Sequence, residues 1–274
     1  MPELPDVTIY LEALRPRVVG QPLERVRLAS PFILRSVEPP IDAVIGRRVE
    51  RLHRLGKRIG IDFGGELYLV LHLMIAGRLR LERRGAKPPG RIGLAAFDFP
   101  NGTLLLTEAS PKKRAALYVV AGTDNFAAHD PGGLEVLAST REEFGAALRR
   151  ESHTLKRALT DPRLFSGIGN AYSDEILHAA RLSPVQLTTK LVDAEVVRLH
   201  DATQATLREW TDRLREEFGD RFPGSGEITA FRPGFAVHGR YGKPCPVCSS
   251  PVQRIVPAGS GPTTAPRGRA ALPR

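Results

Sequence analysis

Met1-Pro2-Glu3-Leu4-Pro5-Asp6-Val7-Thr8-Ile9-Tyr10-Leu11 opens the chain, and the rest of the sequence is read outward from it. From residue 5 to 18, apolar side chains fall at Val7, Tyr10, Leu11, Leu14 and Val18, close to the i, i+3, i+4, i+7 spacing of an amphipathic helix. Pro5 suits a first helical turn, Asp6 faces the positive end of the helix dipole, and Gly20 is a stop signal. The same residues admit a chemical reading. Once Met1 is removed, Pro2 presents a secondary amine whose ordinary pKa of roughly 8 leaves part of it unprotonated at neutral pH. Such an amine is a nucleophile that can attack an electrophilic carbon, such as a sugar C1′, and form an iminium, with Glu3 placed to move the protons. The same Met-Pro opening also serves as a plain helix start.

Composition narrows the class. The chain has 274 residues, enough for two modest domains, and 40 Lys plus Arg against 30 Asp plus Glu give a formal charge of +10. A basic balance suits a polyanion, because each neutralised phosphate releases counterions whatever the base sequence. An apolar run long enough to span a membrane is absent, and the first residues lack the basic and apolar regions of a signal peptide, so a cytoplasmic protein is expected. The two cysteines, Cys245 and Cys248, stand in C-x2-C spacing, an orphan half-site where structural zinc takes four ligands.

After the first helix the pattern changes period. From Leu23 to about Val120, short Val-, Ile- and Leu-rich runs are separated by turns such as Phe63-Gly64-Gly65-Glu66 and Pro100-Asn101-Gly102-Thr103, with Asn101-Gly102 as a hairpin signal. One helix followed by these strands predicts a β-sandwich or barrel. His129-Asp130-Pro131-Gly132-Gly133 reads as a linker, and beyond it the chain is helical. Thr140-Arg141-Glu142-Glu143 predicts a capping box, and further helices are expected over 154–159 and about 194–218. Gly167-Ile168-Gly169-Asn170 allows a close backbone approach to an anion at a helix start.

Four segments, in order, resemble the formamidopyrimidine-DNA glycosylase / endonuclease VIII family: Pro2 to Val7, Leu71-His72-Leu73-Met74-Ile75-Ala76-Gly77-Arg78, Phe165 to Leu177, and Pro233 to Cys248. The resemblance implies an α+β multidomain fold: an N-terminal helix plus β-sandwich over 1–128, a helix-two-turn-helix domain over 129–223 and an incomplete finger hairpin over 224–256, while composition predicts a disordered basic tail over 257–274. It implies a monomeric base-excision enzyme acting on damaged double-stranded DNA, a glycosylase and AP lyase that removes oxidised or ring-opened bases. Pro2 is then the nucleophile and Glu3 the essential acid. Lys57, in Gly56-Lys57-Arg58, contacts the backbone near the lesion, His72 touches phosphate, Met74 fills the gap left by the everted base, and Asn170 binds phosphate.

Two departures bear on specificity. Where family members carry an Asp-Pro-Arg-Arg-Phe-Gly-like loop, this chain has Ser110-Pro111-Lys112-Lys113-Arg114-Ala115, without the aromatic wedge. Lys112 still supplies a cation but not the planar fork of arginine. The finger lacks its second cysteine pair, with Ala265 near the third position, and residues 256–266 contain neither Lys nor Arg. His238 with Cys245 and Cys248 makes three mixed ligands, so neither a structural zinc nor any other cofactor is expected. The hairpin then either persists without metal, held by Val252, Ile255 and their neighbours, or is lost to a floppy basic end. The alternatives to the enzyme are a non-catalytic damaged-DNA-binding protein on the same scaffold and a glycosylase with a shifted lesion preference, such as oxidised pyrimidines.

Overall fold

The computed structural model describes residues 1–255 and 268–269. Two compact units are present: one comprises Met1–Pro131 with Thr211–Thr229, the other Gly132–Trp210 with the segment from Ala230 onward.

In the first unit, helix α1 (Leu4–Val18) precedes eight strands. Strands β1 (Arg25–Leu28), β2 (Arg51–Leu55), β3 (Arg58–Asp62), β4 (Leu67–His72), β5 (Gly77–Glu82), β6 (Gly93–Phe99), β7 (Gly102–Glu108) and β8 (Ala116–Ala121) form two antiparallel four-stranded sheets. Their orders are β1-β6-β7-β5 and β2-β3-β4-β8. Strand alternation explains the core. Leu69 and Leu71 of β4 point to the main apolar cluster with Ile59, Ile61, Leu117 and Val119, where they meet Leu79, Phe97, Leu104 and Leu106 of the other sheet. The helix buries Val7, Tyr10, Leu14 and Val18 in the same cluster, the positions its 3.6-residue period selects, and Leu214, Phe218 and Ile228 join it.

The other face of β4 gave no sequence signal. Tyr68 and Val70 are also buried, covered by a short helix α2 (Thr123–Ala127) through Phe126, which stacks on Tyr68 at 4.0 Å. Gly60 leaves the space for that ring, since a Cβ there would lie 2.6 Å from it.

The hairpin expected at Asn101-Gly102 forms with its centre one residue earlier. Phe99 pairs with Gly102, so Pro100 and Asn101 are the central residues. A proline fixes φ near −65° and so excludes the left-handed turn that an Asn-Gly pair ordinarily signals.

The second unit contains α3 (Arg141–Arg149), α4 (Leu155–Thr160), α5 (Asn170–Ala179) and the first part of α6 (Asp193–Phe218). Thr140 caps α3 through the expected box: its Oγ1 accepts from the Glu143 amide at 3.2 Å, and the Glu143 carboxylate accepts from the Thr140 amide at 2.8 Å. Trp210 packs edge-on against Phe235 at 4.5 Å, and both contact Tyr172.

A hairpin follows, its turn around Cys245–Ser250 closed by Cys245 N–H to Ser250 O at 2.8 Å and its interior made of Val237, Cys245 and Val252. Strand β9 (Gln253–Arg254) pairs with β10 (Gly268–Arg269). The tail expected over 257–274 otherwise lies outside the described residues, as does Ala265. Among the described residues, no helix is long and apolar enough to cross a membrane.

Candidate active site and nucleic-acid contacts

The N-terminus is built into the first unit's core. Glu3 is the N-cap of α1 and only 3% exposed, its amide donating to the Asp6 carboxylate at 2.9 Å, and Pro2 is buried beside it. The terminal amine described is that of Met1. Burial pushes it below the ordinary range and Glu3 opposes this; Arg78 and Lys57 lower it further, while Asp6 raises it. A partly desolvated amine flanked by a carboxylate and two cations is held toward its neutral, nucleophilic form.

Lys57 reaches the same neighbourhood by turn chemistry. Gly56, at φ 61°, and Lys57 are the two central residues between Leu55 and Arg58, the pattern of a type II′ hairpin with glycine first. Burial lowers the Lys57 ammonium below the lysine range, and the Glu3 carboxylate opposes that shift. His72 ends β4 opposite Arg58. Burial, then the charges of Arg58 and Lys57, push its imidazole down to about 4, so it is neutral at pH 7 and offers a neutral donor rather than a cation.

The turn after His72 carries Met74, the residue that the resemblance gives the gap-filling role. Met74 is half-buried and adopts φ 51°, a left-handed conformation unusual for a side chain of this size. The apolar side chain displayed by the turn is Ile75, 58% exposed. The turn closes with Gly77 N–H to Leu73 O at 2.8 Å, and a Cβ on Gly77 would lie 2.2 Å from that carbonyl.

The 110–115 loop is anchored from below. Buried Glu108 accepts from the amides of Arg114 at 2.8 Å and Ala115 at 3.0 Å, and Lys113 donates to the Glu108 carbonyl. Lys112 and Arg114 are exposed, so the loop presents cations and no aromatic ring.

In the second unit, Asn170 is the first residue of α5 and is exposed, with Gly169 as N-cap and Gly167 at φ 79°. The helix start is fixed from behind. Lys156, 9% exposed, donates to the Asn170 carbonyl at 2.6 Å and to Asp174 Oδ1 at 2.5 Å, while Asp174 Oδ2 binds His238 Nδ1 at 2.7 Å. His238, considered from sequence as a metal ligand, is thus engaged by Asp174. The Glu175 carboxylate accepts three successive amides, from Ala236 at 2.7 Å, Val237 at 2.9 Å and His238 at 2.8 Å. Sequence reasoning missed Ile75, Arg78, Lys156 and Glu175. Arginine alternating with leucine along Arg78-Leu79-Arg80-Leu81 reads as a solvated strand face, and the partners of Lys156 and Glu175 are remote in sequence.

The finger of the resembling family implies zinc, and the donors present do not fit it. Cys245 Sγ lies 3.3 Å from His178 Nε2, Cys248 is the second thiol, and among the described residues no group of three or more His, Cys, Asp or Glu could hold a metal ion.

Comparison with known proteins agrees with this geometry. A family model described as the formamidopyrimidine-DNA glycosylase N-terminal domain matches residues 1–113, and the H2TH domain of the same glycosylase matches 133–214. The formamidopyrimidine-DNA glycosylase of Heliobacterium modesticaldum is 33% identical over 278 residues, covering 97% of this chain and 99% of that protein. The crystal structure of the Thermus thermophilus protein of this family is 32% identical, with a TM-score of 0.77 over 97% of this chain and 96% of that one. The Lactococcus lactis protein, solved with DNA containing N7-benzyl-Fapy-dG, is 25% identical, with a TM-score of 0.81 over 95% and 96% of the two chains.

Proposed function

The chain belongs to the formamidopyrimidine-DNA glycosylase family, and we propose that it is a bifunctional base-excision glycosylase and AP lyase whose nucleophile is the Pro2 amine. The observation that carries the reading is the buried N-terminus: Pro2 and Glu3 are buried, and the Met1 amine that precedes them is held below the ordinary range, with Glu3 and Lys57 among the charges acting on it. After removal of Met1, the Pro2 nitrogen bonds to C1′ of an everted nucleotide as the glycosidic bond breaks and the base leaves with a proton. Glu3 donates a proton to the sugar ring oxygen, giving the iminium, and loss of a C2′ proton then expels the 3′ phosphate and cuts the strand. Lys57, neutral His72 and Asn170 hold phosphates, and no step passes through a metal. The enzyme works where its DNA substrate lies, in the cytoplasm.

Within this reading, Ile75 supplies the apolar surface that fills the void of the everted base, because it is the exposed apolar side chain of the 73–77 turn while Met74 faces partly inward. A cationic 110–114 loop without an aromatic ring supports a shifted lesion or opposite-base preference, with Lys112 and Arg114 meeting phosphate or base acceptors in place of a wedge. Borohydride trapping tests the whole proposal. Protein confirmed to begin at Pro2 forms a covalent adduct on duplexes with an abasic site or oxidised bases, and Pro2→Gly loses it. Tight binding to those duplexes without trapping makes the non-catalytic scaffold the correct account.

A further inference from the structure

Two arginines on one face of β5 reach the segment that follows α6 within the first unit. Arg78 Nε donates to the Ile228 carbonyl at 2.6 Å, and its Nη1 donates to the carbonyls of Gly77 at 2.7 Å and Ile75 at 3.2 Å. Arg80, two residues on, donates to Ser225 Oγ. A planar guanidinium, with five donors in fixed directions, can span a loop and a turn in this way where an ammonium cannot. All three acceptors of Arg78 are neutral carbonyls, and among the described residues no carboxylate forms an ion pair with it. Its charge is therefore not cancelled by a direct partner.

We infer that Arg78 is a positioning residue for the reaction: it clasps the 225–228 segment to the turn that carries Ile75 and holds an uncancelled positive charge at that junction. The inference rests on the reading of Pro2 given above. The charged groups acting on the terminal amine are Glu3 and Asp6 from α1, Lys57 from the β2–β3 turn and Arg78 from β5. Burial is the largest influence and lowers the amine; the two carboxylates oppose it and the two cations add to it. Arg78 is the cation that also touches both loops, which couples the state of the nucleophile to the placement of the 225–228 segment.

The test reads the amine directly. Protein beginning at Pro2 is labelled competitively with acetic anhydride across a pH series, and the N-terminal peptide is quantified by mass spectrometry. Removing the charge in Arg78→Gln moves the labelling midpoint to higher pH, because the amine loses a cation that disfavoured its protonation. Arg78→Lys retains the charge and keeps the midpoint near wild type, but frees the segment, so amide hydrogen exchange at 225–229 rises. Arg80→Gln leaves the midpoint where it was. Equal midpoints for wild type and Arg78→Gln overturn the electrostatic role, and unchanged exchange in Arg78→Lys overturns the clasp; the Lys variant keeps the test decisive where the Gln variant fails to fold. Borohydride trapping in parallel separates the two readings. The expected shift in Arg78→Gln together with a wild type that never traps rejects the nucleophile and leaves the Arg78 contacts decided.

Discussion

Replacing Glu175 with alanine is the sharpest perturbation of the finger hairpin. One carboxylate, 6% exposed, accepts the amides of three consecutive residues, two of which, Val237 and His238, are buried. Leaving a buried donor unsatisfied costs about 1–3 kcal/mol, more when the lost acceptor is charged. Val237 and His238 carry most of the penalty, because the half-exposed Ala236 amide can turn to water, so the local loss is about 3–5 kcal/mol. Glu175→Gln keeps one oxygen that can serve Val237 and His238 but turns an NH2 toward the Ala236 amide, and about half the loss is expected. At about 1.4 kcal/mol per factor of ten, Glu175→Ala speeds hydrogen exchange of the 236–238 amides at least a hundredfold. The local readout is chosen because two compact units need not unfold together. Exchange within about threefold of wild type in Glu175→Ala would refute the argument that this carboxylate, rather than a metal, holds the hairpin. In the same experiment a chelator leaves wild-type exchange unchanged, and metal analysis of the purified protein returns well below one zinc per chain; a full equivalent rejects the metal-free hairpin.

Three further predictions concern the catalytic side of the fold. Met74→Gly removes a side chain from a left-handed position and raises stability by about 0.5–1 kcal/mol in urea denaturation, while Ile75→Gly, with little effect on stability, lowers trapping on base-containing duplexes and spares abasic ones. Retention of full base excision by Ile75→Gly would sink the void-filling role. His72, whose pKa falls from 6.5 to about 4 on folding, takes up protons in the unfolded chain between those values and not in the folded one. Stability therefore rises with pH across that window, by of order 2 kcal/mol after allowing for partial solvent access, and is complete above about pH 6.5. His72→Gln flattens that part of the stability profile, and an unchanged slope would show that other groups produce it.

Much of the architecture was legible because short-range physics dictated it. The 3.6-residue spacing from Val7 to Val18 has one way to bury its apolar stripe, and Thr140 with Glu143 satisfies helix-end amides within a single turn. The Leu-, Ile- and Val-rich runs from β1 to β8 likewise had to alternate across a sheet. Helix α2 was not legible, since its only strong cue is Phe126 and the reason for that ring is the hole left by Gly60, far earlier in the chain. Pro100 shifted the hairpin centre by a rule that is local but was outweighed in the reading by the Asn-Gly signal.

The candidate site divides along the same line. The sequence by itself determined which groups are candidates for the chemistry: a proline amine one residue from a carboxylate, a lysine behind a turn glycine, and glycines leading into Asn170. These are properties of adjacent residues, so no fold is needed to see them. The tertiary structure alone decided how those groups behave. Burial lowers the terminal amine, the Lys57 ammonium and the His72 imidazole, and Arg78 joins the 73–77 turn to Ile228, 150 residues away. Likewise Glu175 gathers three amides from a segment remote in sequence. Desolvation and long-range hydrogen bonding depend on which segments share a volume, and a linear spacing carries no information about that until the chain has packed.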